Sequence, residues 1–239
     1  MKILTASIVF NEEKRIQDVI ARFKNSGISD NIDFIIMDDG STDNLKQIAQ
    51  REGIRVLSHK HRRGAGAAIR TVISYAIENN YDILVIMAGN NKDRPKQIPL
   101  LINPIRNEGF DVVQGSRYLP GAECGNMPLH RRISTQFMHP VILSVFTGKK
   151  ITDSTNGFRA IRLSIFKDKR INLDQGWLDH YALEPYILYK AIELGYKVKE
   201  APVSKIYPSD KSGYTKMKPI IGWWDILRPL VFLKLGIKK

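Results

Sequence analysis

The chain has 239 residues, 43% of them hydrophobic and 26% charged, the balance of a folded globular protein and not of a disordered or fibrous one. Its 37 lysines and arginines against 24 acids give a formal net charge of +13, which suits an anionic partner such as nucleic acid, anionic lipid or a phosphorylated substrate, or else, being spread over the chain, a solvated basic surface. The single cysteine, Cys124, excludes an internal disulfide and reads as a plain structural thiol, and no run of roughly 20 apolar residues offers a membrane-spanning helix.

Residues 2–10 predict a strand with a polar stop at Asn11; broken by Thr5 and Ser7 and lacking a cleavage site, this start does not read as a signal peptide. From Glu12 to Asn25, Ile16, Val19, Ile20 and Phe23 recur at helical spacing. A second strand, 33–37, runs into Asp38-Asp39-Gly40-Ser41-Thr42-Asp43, where Ser41 or Thr42 caps a helix reaching Arg51. Residues 54–58 form a third strand, and Gly64-Ala65-Gly66-Ala67-Ala68 opens a helix carrying Ile69, Val72, Ile73 and Ala76. Residues 83–87 are a fourth, wholly apolar strand; a helix follows from about Pro95, and 111–115 is a fifth strand. Gly125 and Pro128 mark a break, after which helices are expected over 133–147 and 181–194 and a strand over 197–202. Unbroken apolar strands alternating with helices imply an α/β fold with a mostly parallel sheet flanked by helices on both faces. The expected organisation is one domain over 1–218 and an amphipathic tail over 219–239.

Ligands of such sheets bind beyond the carboxyl ends of the strands. Both chemically distinctive loops, after Met37 and after Met87, lie there. Adjacent acids such as Asp38 and Asp39 can accept hydrogen bonds from a nucleobase N–H and a ribose hydroxyl, and Gly40 permits the sharp turn. Taken alone, the same residues also describe an ordinary polar turn from strand to helix.

They do not stand alone. Phe10-Asn11-Glu12-Glu13, the 38–43 loop, His61-Arg62-Arg63-Gly64-Ala65-Gly66, Gly115-Ser116-Arg117-Tyr118 and Asp153-Ser154-Thr155-Asn156-Gly157-Phe158-Arg159-Ala160 occur in this order. Together, over residues 3 to about 217, they resemble the family 2 glycosyltransferases, most closely the branch of dolichyl-phosphate mannose synthase and bacterial polyprenyl-phosphate sugar transferases. The resemblance implies a GT-A fold and an inverting transfer of a hexose from a UDP- or GDP-linked nucleotide sugar, in the service of cell-envelope glycan synthesis. It places Asp39, with Asp38 beside it, on the base or ribose of the donor, and Phe10, Asn11 and Glu12 on the pocket wall. Gly64 would let backbone approach the ligand at the start of a helix whose N–H groups favour anions, the alternative being close packing of small residues.

One segment departs from the family. Its fourth strand ends in Asp-Xaa-Asp, whose carboxylates hold Mg²⁺ or Mn²⁺ on the diphosphate; here those acids are Ala88 and Asn90. Three readings stand open: a metal site rebuilt from Asn90 and Asp93, a metal-free site using Lys92 and arginines, or a nucleotide-sugar-binding protein without turnover.

On the acceptor side, the resemblance assigns Arg117 and Arg131 to an acceptor phosphate, with Arg132 competing for the second role, and Asp153 to the general base or a sugar ligand. Lys211 and Lys216, flanking Gly213, would clamp the donor diphosphate. The tail combines Trp223 and Trp224 with Arg228, Lys234, Lys238 and Lys239, which suits a helix lying at an anionic bilayer; a helix packed on the domain or in a dimer is the competitor. The expectation is a cytoplasmic enzyme, peripheral at the inner face of the cell membrane, with a lipid-linked or glycan acceptor. A soluble transferase to a sugar hydroxyl, needing Asp153 as base, is the rival. Nucleic acid is not expected, since no reader motif or set of stacking aromatics accompanies the charge. Whether the chain forms a homo-oligomer is left open.

Overall fold

The computed structural model describes residues 1–28, 32–207 and 221–238. The apolar run Ile3–Val9 forms β1, which pairs in parallel with β2 (Asp33–Asp38) on one side and β4 (Ile83–Ala88) on the other. β3 (Arg55–Ser58) extends the sheet beyond β2. On the far flank β6 (Arg159–Arg162) lies antiparallel between β4 and β5 (Val112–Ser116), and β7 (Val198–Pro202) closes the edge parallel to β5. The result is a seven-stranded, mostly parallel sheet in the order β3-β2-β1-β4-β6-β5-β7.

Both faces of the sheet are covered, which explains the unbroken apolar strands. Leu4, Ala6, Leu84 and Ile86 point into one core, built with α3 (Ala65–Glu78) and α7 (Leu183–Glu193). Their neighbours Ile3, Ile83, Val85 and Met87 point into a second core, built with α1 (Glu13–Lys24), α2 (Leu45–Arg51) and α4 (Ile98–Asn107). Each fully buried side chain of this kind contributes about 1.5–3 kcal/mol, so neither face tolerates a register slip.

Three expectations need correction. β6 was not anticipated from the sequence, because Arg-Ala-Ile-Arg carries no apolar run. α2 starts later than a Ser41 or Thr42 cap would require, because the Ser41 hydroxyl accepts the Asn11 N–H at 2.9 Å and so joins two loops. The helix expected over 133–147 begins earlier. It runs through α5 (Leu129–Ile133), a π-helical turn at Ser134–Met138 and α6 (His139–Thr147).

α8 (Ile221–Lys234) packs against α6 and α7, with Leu230 and Leu233 in the first core and the Arg228 guanidinium donating to the Trp177 carbonyl at 2.9 Å. One side of the tail is thus a domain-packing helix, while Trp224 is exposed. Among the described residues no helix is long and apolar enough to cross a membrane.

Candidate active site

A cleft of about 230 Å³ opens at the carboxyl ends of β1, β2 and β4. Phe10, Glu12, Asp39, Gly64, Asn90, Lys92 and Arg131 all line it, so the structure brings these sequence-selected residues together. Arg62 lays its guanidinium over the Phe10 ring at 4.3 Å and joins the same wall. The pair offers a flat cationic and aromatic surface of the kind on which a nucleobase stacks.

Asp39 is buried at the end of β2 and organises this wall. Its Oδ2 accepts the Gly64 N–H at 2.8 Å, and its Oδ1 accepts the Arg63 N–H at 2.9 Å and His59 Nδ1 at 2.8 Å. A carboxylate has about four acceptor sites, so one remains for a ligand. Gly64 adopts φ +112°, and a Cβ there would strike Asp179 and His180. At the start of α3, Gly66 N donates to the His180 carbonyl at 2.7 Å and Ala67 N to that of Asp179 at 3.0 Å. The Gly66 and Ala67 N–H groups thus serve close packing, while Gly64 and Ala65 line the cleft. Asp38 is buried away from the cleft, accepting the Ser41 N–H at 2.9 Å, and Asn11 stands exposed, accepting the Thr42 N–H at 2.9 Å. Both shape the loop and neither lines the cleft.

The end of β4 is where a divalent cation would be held. The residues there do not fit one. Ala88 offers a methyl group and Asn90 a neutral amide, and Asp93 is engaged: its Oδ2 accepts the Ala88 N–H at 2.8 Å and its Oδ1 accepts the Lys205 ammonium at 2.6 Å. Among the described residues no three His, Cys, Asp or Glu side chains converge. A Mg²⁺ or Mn²⁺ site built from Asn90 and Asp93 would require an ion to displace a buried ammonium. Lys92 is 2% exposed and lies 4.6 Å from the Tyr207 ring centre. Burial, then the nearby Lys205 and Arg131, lower its pKa to about 8.

A second chamber of about 200 Å³ adjoins the first, sharing Asn90, Arg131 and Lys205 and adding Arg117, Arg159 and Glu184. Arg131, not Arg132, is the arginine that reaches the site; Arg132 is exposed and donates to Gln136. Arg117 forks onto Asp153 with Nε to Oδ2 at 2.6 Å and Nη2 to Oδ1 at 2.8 Å, and Nη2 also donates to Thr155 Oγ1 at 2.7 Å. Burial alone would lower the Arg117 pKa, but the Asp153 carboxylate more than offsets it and holds the charge in place. Asp153 is fully buried beneath Arg117, so the expected general base or sugar ligand is instead the counter-ion of an arginine on the chamber wall. Arg159, lodged between the Glu184 carboxylate at 3.3 Å and the Asn156 carbonyl at 2.8 Å, is a cation the sequence reading missed. Burial lowers its pKa. Lys205, also missed, had no motif to mark it. Lys211 and Lys216 lie outside the described residues.

Arg131 sits on α5 among exposed apolar neighbours. Leu129, Ile133, Phe137, Val141 and Val145 follow at four-residue steps and are 72%, 52%, 57%, 56% and 71% exposed. Each such step drifts about 40° around an α-helix. The wider π turn at Ser134–Met138 offsets part of that drift, keeping the five in one outward stripe.

The profile of glycosyl transferase family 2 matches residues 6–169. The chain is 32% identical to an uncharacterized protein of Methanocaldococcus jannaschii over 95% of its own length and 89% of the relative's. It is 28% identical to the dolichyl-phosphate hexose transferase of Haloferax volcanii, covering 93% of this chain and 89% of that one. It is 26% identical to the undecaprenyl-phosphate mannosyltransferase of Micrococcus luteus, covering 85% and 83%. Among solved structures, glucosyl-3-phosphoglycerate synthase of Mycobacterium tuberculosis in complex with uridine diphosphate superposes with a TM-score of 0.72 over 100% of this chain and 81% of that chain. At 18% identity this likeness is one of fold; the same enzyme is also solved with Mn²⁺. With its GT-A sheet and a matching profile over most of its length, the chain belongs to glycosyl transferase family 2 and is a glycosyltransferase.

Proposed function

We propose that the protein transfers a hexose, with inversion, from a UDP- or GDP-linked sugar to a polyprenyl phosphate presented at a membrane surface. The observation that carries this reading is the charge of the second chamber, whose lining, among the described residues, sets Arg117, Arg131, Arg159 and Lys205 beside one carboxylate, that of Glu184. Guanidinium groups in such number suit a phosphate. A sugar hydroxyl would need a base, and Asp153 is engaged by Arg117 and Thr155. Relatives bearing the names of undecaprenyl- and dolichyl-phosphate sugar transferases agree with it.

On this reading the nucleoside rests against Phe10 and Arg62 and is met by the remaining acceptor site of Asp39. The acceptor phosphate, held by Arg131 with Arg117 and Arg159 behind it, aligns one oxygen with the anomeric carbon. That oxygen forms the new bond as the anomeric carbon–oxygen bond to the diphosphate breaks, and the nucleoside diphosphate leaves with the bonding pair. The attacking oxygen is already ionised, so no proton has to be removed.

The apolar stripe 129–145 supplies the place where such an acceptor is met. We assign it to an anionic bilayer, because α5 and α8 carry the exposed cations Arg132 and Lys234, with Lys150 just beyond α6 and Lys238 just beyond α8.

The test is incubation with radiolabelled UDP-glucose or GDP-mannose and undecaprenyl phosphate, followed by organic extraction. Label in the lipid phase that requires the phosphate supports the reading; equal labelling of undecaprenol, or label only on water-soluble sugars, refutes it. Glu184→Gln separates the rival, since a hydroxyl acceptor would lose the carboxylate that could serve as its base, whereas an ionised phosphate acceptor needs none.

A further inference from the structure

We infer that the diphosphate of the donor is neutralised by the ammonium groups of Lys92 and Lys205, in the place where metal-dependent members of the family hold a divalent cation. The inference rests on the nucleotide-sugar reading above and concerns which charges of this chain meet the two phosphates.

Lys205 is built into its position. Its backbone bridges to Asp93 across the gap between the loop after β4 and the segment after β7. Its Nζ donates to Asp93 Oδ1 at 2.6 Å and to Asn156 Oδ1 at 3.4 Å. An ammonium carries three N–H groups, so a third is left, and the side chain lines both the nucleotide cleft and the adjoining chamber. Asp93 is therefore an anchor: it fixes the head of Lys205 beside Ala88 and Asn90, at the site of the missing acids. The same carboxylate cannot hold Lys205 and ligate an ion through the same oxygen.

Lys92 comes from the loop that β4 itself feeds, where its carbonyl accepts the Ile206 N–H at 3.2 Å. It is almost wholly buried and still lines the cleft. Arg131 completes the set, with its guanidinium 5.6 Å from the Tyr207 ring that also faces Lys92. Glu12 lies on this wall too, and Arg15 holds it at 2.9 Å. Like charges gathered around Asp93 raise the energy of the empty site, and a nucleoside diphosphate relieves it by supplying negative charge. As the sugar–phosphate bond breaks, charge grows on the leaving diphosphate. Fixed ammonium groups aimed there stabilise that charge as a bound cation would.

Two lysines converge where Ala88 and Asn90 stand in place of the two acids, so the local charge is positive where an Asp-Xaa-Asp pair would make it negative. Either alone would be ambiguous. Ala88 and Asn90 without the lysines would describe an inactive site, and the lysines beside an Asp-Xaa-Asp pair would be neutralised by it.

Calorimetric titration of the full chain with UDP and with GDP, in EDTA and then in Mn²⁺, tests this, with Mn²⁺ binding followed separately by electron paramagnetic resonance. The expected result is an affinity for one nucleotide that differs by no more than about twofold between the two buffers, with no high-affinity Mn²⁺ signal. Lys92→Met should weaken the diphosphate by about tenfold or more, and more than it weakens UMP or GMP. Lys205→Met strips a buried carboxylate of its partner, so the Lys205→Met/Asp93→Leu double variant carries the same comparison on a fold without that unpaired charge. An affinity that rises about tenfold or more with Mn²⁺, or variants that lose no preference for diphosphate over monophosphate, overturns the inference. Failure of either nucleotide to bind in either buffer is a different result, and it removes the nucleotide-sugar reading together with this inference.

Discussion

Asp39 and Gly64 are joined by a 2.8 Å hydrogen bond from the glycine N–H to the carboxylate, across two strand-end loops. This contact makes the acid at the end of β2 a clamp on the loop before α3 as well as a wall of the cleft. Since Arg63 N and His59 add two more donors to the same carboxylate, its position is determined from three directions.

Asp39→Asn replaces an ionised acceptor by a group that must turn one donor toward these three. Hydrogen bonds to charged groups are worth about 1.5–3 kcal/mol, so we expect a loss of roughly that size in stability. Affinity for UDP or GDP should fall with it, by about tenfold or more. Urea unfolding and calorimetry on the same samples check both; unchanged nucleotide affinity in a destabilised protein would confine Asp39 to the loop.

Arg117 and Asp153 form a buried, bidentate pair at 2.6 and 2.8 Å. Removing one partner leaves an uncompensated charge, at a cost of about 3–5 kcal/mol. Arg117→Met and Asp153→Leu should each be strongly destabilising, and the double variant should recover much of the loss. A double-mutant cycle by denaturant unfolding gives the coupling. Additive losses would show that the pair is not a unit.

His139 is 1% exposed, and burial lowers its pKa from 6.5 to about 4, with Asp153 opposing the shift. The folded protein therefore disfavours the charged ring. Stability from this group is fully present above the unfolded value of 6.5 and is lost as pH falls from 6.5 towards about 4. The amount is about 3 kcal/mol. Unfolding free energies measured through this window should decline for the parent protein and decline less for His139→Phe.

Phe137→Ser with Val141→Ser should leave the fold intact, since both side chains are exposed, and should reduce co-sedimentation with vesicles containing phosphatidylglycerol by about tenfold or more. High salt should weaken the parent in the same assay by screening the basic residues. If the parent protein instead sediments as a dimer that these substitutions dissociate, the stripe is a subunit interface.

The sequence disclosed strands by their apolar runs and cleft residues by their place after them, so β1 to β5 and the loops at Phe10, Asp39 and Lys92 were legible. β6 was not, because Arg159 is buried by partners, Glu184 and the Asn156 carbonyl, that lie elsewhere in the chain. Asp153 was assigned to the reaction for the same reason: nothing local announces that Arg117 will take both of its oxygens. Lys205 stands in an unremarkable stretch and acquires meaning only when β7 returns it to Asp93. The apolar stripe was hidden by its own helix, in which Ile142, Leu143 and Phe146 are apolar as well but turn inward.

Arg131 lies two residues from Leu129 and two from Ile133, on the helix that opens the stripe. Residues two apart point to opposite faces of a helix, so one helix diameter, about 10 Å, separates the Arg131 guanidinium, which is proposed to meet the phosphate, from whatever the stripe rests on. On the reading proposed above, the enzyme need not draw a lipid out of its leaflet; a phosphate standing at the surface would already be at working height. The search for acceptor would become lateral diffusion in two dimensions, with a local concentration that a dissolved sugar phosphate could not match. Selectivity for a lipid carrier would thus come from altitude, without any pocket for the hydrocarbon.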